Sequence, residues 1–176
     1  MPCLGPKCSG CPQQSIGQSY VPPDGLGTSG LMVLAESPWI EEVKAGKPLV
    51  GASGHTFNKL LRRAGIERDS LLITNSMNCK APNLGWFETR RADAAAALEA
   101  CKPYLLESLE RVKPKVVVTL GGVALNVMTG FSNVTKNHAY VLDSFFGVPV
   151  IPTFHPSYIQ RGNHKLSGAV VFALKK

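Results

Sequence analysis

No stretch of this sequence stays apolar for long. The longest runs, such as Val116–Leu120 and the segment around Val148, fall far short of the roughly 20 residues that a membrane-spanning helix needs, so no segment is read as crossing a bilayer. The N-terminus places prolines, glycines and three cysteines where a secretory signal would carry an apolar core, and the expectation is therefore a cytoplasmic protein. Charged residues make up 18% of the chain, and acidic ones are the scarcer: 12 Asp and Glu against 19 Lys and Arg leave a net charge of +7. The cations are dispersed and form no run. That balance favours a polyanionic partner such as nucleic acid, through phosphate neutralisation and counterion release, yet it suits an ordinary basic protein equally well.

What the sequence does contain is enough apolar material, 44% of 176 residues, to build one real core and too little length for two ordinary ones. Residues 1–30 are rich in Gly, Pro, Ser and Cys, without apolar periodicity, and read as a loop segment that needs a covalent or metal anchor. Beyond them the pattern becomes regular. Leu31–Ala35, residues 71–74, Val116–Leu120 and residues 148–151 are short apolar runs without alternation, as strands buried on both faces require. Pro149 marks the fourth as a strand start or an edge. Helical spacing fills the intervals: Phe57, Leu60, Leu61 and Ala64 before Gly65; Leu98, Cys101, Leu105, Leu109 and Val112 before Pro114; a helix opened by Gly121 and Gly122; and a last one over residues 165–174. Strands alternating with helices predict an α/β fold, a three-layer α/β/α sandwich around a short, mostly parallel four-stranded sheet, read as one domain over residues 1–176. Its chemistry belongs at the strands' C-terminal ends, just after Ala35, Thr74, Leu120 and Ile151. The final helix runs to Lys176 without a capping glycine, which leaves a longer parent chain open.

Five cysteines stand at positions 3, 8, 11, 79 and 101. Without an export signal, clustered cysteines point to metal rather than disulfides. Cys8 and Cys11 can reach one metal centre from a single turn that Gly10 permits, but zinc sites and redox pairs share that spacing. Cys3, Cys8 and Cys11 also match the spacing of plant-type ferredoxins, with Cys79 or Cys101 completing the set. Cys101 lies on an apolar helical stripe, where an unliganded cysteine would be a small core residue.

Taken together, the Cys8/Cys11 pair, Asn75 followed by Cys79, and Cys101 resemble the iron–sulfur uracil-DNA glycosylases of family four, and the resemblance covers nearly the whole chain. Ala35-Glu36-Ser37-Pro38 is similar to that family's Gly-Glu-Ala-Pro-Gly motif, residues 46–54 to Gly-x-Pro-Phe-Val-Gly-x-Ala-Gly, and His155-Pro156-Ser157 to its second catalytic motif. The resemblance implies a four-iron, four-sulfide cluster on Cys8, Cys11, Cys79 and Cys101, leaving Cys3 over, with the cluster stapling the N-terminal loop to the sheet. It also implies hydrolysis of the bond between uracil and deoxyribose in DNA, by a monomer that flips the base and leaves an abasic site. The alternative is a non-catalytic module that binds DNA or uracil within a larger replication or repair protein.

The expected roles follow from the chemistry. Uracil departs as an anion from a sugar with oxocarbenium character, and it must leave the stack to be reached. The amide of Asn75 can donate to uracil O4 while accepting from N3–H, which rejects cytosine; the plainer reading is a turn cap. His155 can donate to the charge developing on O2. Glu36 would orient water or support the cation, and Glu42 would assist the water; a solvated carboxylate beside Glu41 is the bland reading of the latter. Ser37 and Leu49 would line the base pocket. Gly51 and Gly54, ahead of a helix, would let backbone approach a phosphate; Ser157 and Tyr158 occupy the position from which a side chain enters the duplex, and Arg161 offers a phosphate contact. Two positions depart from the family: Leu49 replaces a stacking phenylalanine, and Trp39 replaces a glycine.

Overall fold

The computed structural model describes residue 8, residues 10–14 and residues 20–176; Cys3 lies outside the described residues. Four strands, β1 (Leu31–Ala35), β2 (Leu72–Asn75), β3 (Val116–Leu120) and β4 (Val150–Thr153), pair in the order β2-β1-β3-β4, all parallel. Among the described residues, eight α-helices connect and cover them: α1 (Ile40–Ala45), α2 (Ala52–Ala64), α3 (Trp86–Thr89), α4 (Arg91–Val112), α5 (Gly122–Thr129), α6 (Val134–Asn137), α7 (Pro156–Gln160) and α8 (Ser167–Lys175). None is long and apolar enough to cross a membrane.

Strand side chains alternate between two buried layers, which is why the runs read as continuously apolar. Val33, Ala35, Ile73, Val118, Leu120 and Ile151 pack on one face with Phe57, Leu60 and Leu61 of α2, Ile159 of α7 and Val170, Ala173 and Leu174 of α8. Met32, Leu34, Leu72, Val117 and Val150 pack on the other with Leu105 of α4 and Ala124 and Met128 of α5. The expected three-layer sandwich is therefore present, with a wholly parallel sheet.

Boundaries moved where local hydrogen bonding decides them. Leu71 closes a short 3-10 turn by donating its N–H to the Arg68 carbonyl, so β2 starts one residue later and takes in Asn75, which pairs with Ala35. The Val148 carbonyl accepts the Ser144 hydroxyl in a turn at 2.6 Å, so β4 begins at Val150. Pro152 is tolerated inside β4 because that strand is at the sheet's edge, where a missing N–H leaves no ladder bond open. The outer side of β4 is met by Leu142, which exchanges two backbone hydrogen bonds of 2.9 Å with Val150, and by the Ala139 N–H on the Pro152 carbonyl. On the opposite edge, Asp24 exchanges two backbone bonds with Ile73 of β2. Helix α4 starts seven residues ahead of Leu98, since its first two turns bury only Ala94 and Ala97, side chains too small to mark a stripe.

Candidate active site

All four strands end on one side of the molecule, and the residues singled out after them gather there. Asn75, last in β2, is buried, and its Nδ2 has neither solvent nor a hydrogen-bond partner. The loop beyond it folds back under β1: the Ser76 amide and hydroxyl both donate to the Ala35 carbonyl, and the Met77 amide to that of Glu36. Leu49 belongs to the same apolar cluster as Ala35 and Ile73, the neighbours of Asn75 in the sheet and along the strand.

His155 leaves β4 and caps α7. Its Nδ1 accepts the Ser157 backbone N–H at 3.2 Å and lies 2.8 Å from the Ser157 hydroxyl oxygen. A ring nitrogen that accepts an amide proton carries none itself, so the neutral ring holds its proton on Nε2. Burial, and secondarily the positive Arg161, push the His155 pKa down to about 4, so the ring is neutral at physiological pH. Gly121, where β3 ends, takes φ +94°, a backbone conformation that L side chains rarely adopt, beside the Cβ of His155.

Glu36, directly after β1, has its carboxyl pushed up to about 7 by burial and then by Glu88 of α3, with Arg161 opposing. Arg161 thus acts on both His155 and Glu36, a link that spacing alone did not reveal. Ser37 is partly buried in the same loop. Glu42 is buried, not solvated: one carboxylate oxygen accepts the Trp39 amide at 2.9 Å, capping α1, and the other accepts the Gly51 amide at 3.2 Å. Trp39 carries the Lys80 ammonium 4.8 Å from its ring centroid.

Gly51 and Gly54 open α2. A Cβ on Gly54 would lie 1.9 Å from the Leu49 carbonyl oxygen, so only glycine fits. Gln160 of α7 donates to the Ala52 carbonyl at 2.6 Å and to the Thr56 hydroxyl at 2.8 Å, docking the His155 helix on the start of α2. Of the segment after His155, Ile159 is core while Tyr158 is 42% exposed, stacked on Phe154 at 6.0 Å.

The family model for the uracil DNA glycosylase superfamily matches residues 22–174. The chain belongs to that superfamily. Among its members it is 35% identical to the type-4 uracil-DNA glycosylase of Thermotoga maritima over 88% of this chain and 79% of that protein. It is 32% identical to the type-4 enzyme of Pyrobaculum aerophilum over 69% of this chain and 59% of that protein, and 31% identical to that of Sulfurisphaera tokodaii over 86% and 70%.

In this member of the superfamily, among the described residues, four buried cysteines that form no disulfide come from three stretches of chain: Cys8 and Cys11, Cys79 after β2, and Cys101 in α4. Burial pushes the Cys101 thiol up to about 12; the Asn78 backbone opposes this, while Cys79, Cys11 and Cys8 lie near enough to add to it. Tyr20 bridges to Cys79, the Val21 amide donates to the Asn78 carbonyl, and the Tyr104 hydroxyl lies 3.3 Å from the Cys8 sulfur. Among the described residues, no group of three or more His, Cys, Asp and Glu is set to hold a single metal ion.

One residue at the site carried no motif. Arg68, in the turn before β2, donates to the Pro48 and Leu49 carbonyls at 2.7 and 3.1 Å. Its sequence signal was one arginine among many, and only the paired carbonyls identify it.

Proposed function

We propose that the chain hydrolyses the N-glycosidic bond of uracil in DNA and leaves an abasic site. The observation that carries this reading is the buried, unpartnered Nδ2 of Asn75, a donor without an acceptor in a superfamily whose type-4 members are named for uracil. A buried amide lacking a partner costs roughly 1–3 kcal/mol, which uracil O4 would recover while N3–H donates to Oδ1. Cytosine offers the opposite pattern at both positions.

In this reading the Nε2–H of His155 faces O2 of the flipped base. A neutral donor hydrogen-bonds to the charge growing on O2 and has no full charge that must leave water first. Glu36, ionised above pH 7, holds the attacking water or balances the cationic sugar. Glu42 keeps the Trp39 and Gly51 amides in place, and its remaining lone pairs are available to the water. Leu49 and Ser37 wall the base, Leu49 by apolar contact rather than ring stacking. Tyr158 enters the space the base vacates, and Ser157, Arg161 and the Gly51 to Gly54 turn face the phosphates.

The donor set fits an iron–sulfur cluster: four thiols, buried together, three of them from irregular segments and Cys101 from α4. Cys8, Cys11, Cys79 and Cys101 would hold it, and it would supply structural bracing of the N-terminal segment against β2 and α4.

Incubation with oligonucleotides carrying U:A, U:G or single-stranded uracil, followed by alkaline cleavage, tests the activity. Strand breaks at uracil are expected. Binding without any abasic product under single-turnover conditions would instead support a uracil-reading module.

A further inference from the structure

We propose that Arg68 is a positioning residue of the base pocket, holding the backbone of Leu49 so that the pocket wall and Asn75 keep a fixed relation; this rests on the reading of Leu49 given above. Leu49 has φ +50°, a conformation that a side chain with a γ-branch adopts only where its surroundings enforce it. The enforcing groups are identifiable. Arg68 Nη1 donates to the Leu49 carbonyl at 3.1 Å and Nη2 to the Pro48 carbonyl at 2.7 Å, while Gly54 closes on that same Leu49 carbonyl.

The guanidinium is itself fixed at both ends. Nη1 also donates to Asn58 Oδ1 of α2 at 2.9 Å, and Nη2 lies 3.9 Å from the Asp24 carboxylate. Asp24 is bonded through its backbone to Ile73, two residues before Asn75. One side chain therefore joins the loop carrying Leu49 to the strand carrying Asn75. A planar fork can hold two successive carbonyls at once; an ammonium offers a single point of charge and cannot.

The test uses the full chain with its metal as purified and compares wild type, Arg68→Met and Arg68→Lys in three measurements: inhibition of excision by free uracil, binding to an oligonucleotide carrying an abasic site, and thermal midpoint. Positioning predicts that Arg68→Met weakens inhibition by free uracil about tenfold or more, changes abasic-site binding by less than about threefold, and that Arg68→Lys restores only part of the loss. Unchanged inhibition by uracil, or equal losses in uracil and abasic-site binding, would overturn the role. Should Arg68→Met fail to fold, folded Arg68→Lys decides the matter, since normal uracil inhibition there overturns it too. Wild-type protein that releases no uracil would defeat the proposed activity itself, a result distinct from a variant that matches an active wild type.

Discussion

The imidazole of His155 is held by Ser157, whose backbone N–H reaches Nδ1 at 3.2 Å while its hydroxyl oxygen stands 2.8 Å away. A histidine used as a helix cap cannot protonate at that nitrogen without giving up the cap, so the fold itself maintains the Nε2–H tautomer. His155→Ala should slow single-turnover excision by about 100-fold or more, the loss typical of an oxyanion donor. Ser157→Ala keeps the amide and should lose far less. Quenched-flow kinetics on one oligonucleotide separates the two; equal effects would show that the ring is not a donor.

Glu36 and His155 predict the pH profile together. With His155 neutral above about pH 4 and the Glu36 carboxyl near 7, excision should climb with pH through about 7 and show no histidine limb between pH 5 and 8. Glu36→Gln should remove the climb and leave a low, flat rate. Stability runs the other way. The Glu36 pKa is raised above its ordinary value of 4.5, so stability present below 4.5 is lost as pH rises through 7. Glu36→Gln should therefore raise Tm by several degrees at pH 8 and little at pH 4, measurable by calorimetry.

Free uracil should raise the Tm of the wild type, because it binds only the folded state: about 2.7 kcal/mol at 100 times its Kd. Asn75→Ala should abolish that shift and excision together while remaining folded. A uracil-induced shift that persists in Asn75→Ala would place the base elsewhere.

Replacing Cys79 or Cys101 with Ser should bleach the visible absorbance of the purified protein, lower its bound iron, and reduce Tm, since the three remaining buried thiols would lose the cluster that joins them. Gly54→Ala makes a different break: a methyl 1.9 Å from the Leu49 carbonyl must push the loop aside. That variant should lose about 2 kcal/mol or more of stability on urea unfolding.

The sheet was legible in the sequence because strands covered on both faces are uniformly apolar, and three of the four runs fell within a residue of their observed limits. The places of Asn75 and His155 at or just beyond strand ends were legible for the same reason, while the roles expected of them came from the family resemblance. The front of α4 was not, since alanines bury without leaving a periodic mark. Nor were α1 and α3, one capped through the buried carboxylate of Glu42 and the other a single turn. Arg68 was hidden because its partners are main-chain carbonyls, which no side-chain pattern encodes.

Both margins of the sheet are closed by the chain's own backbone. Asp24 takes up the free side of β2; Leu142, Ala139 and the missing N–H of Pro152 leave β4 nothing to offer. A protein crowded along a polyanion is brought repeatedly edge to edge with its own copies, the arrangement in which exposed strands fuse into aggregates. Among the described residues, the outward backbone groups of Ile73, Val150 and Pro152 are already taken or missing, which leaves little on either flank for a second copy to add a strand to.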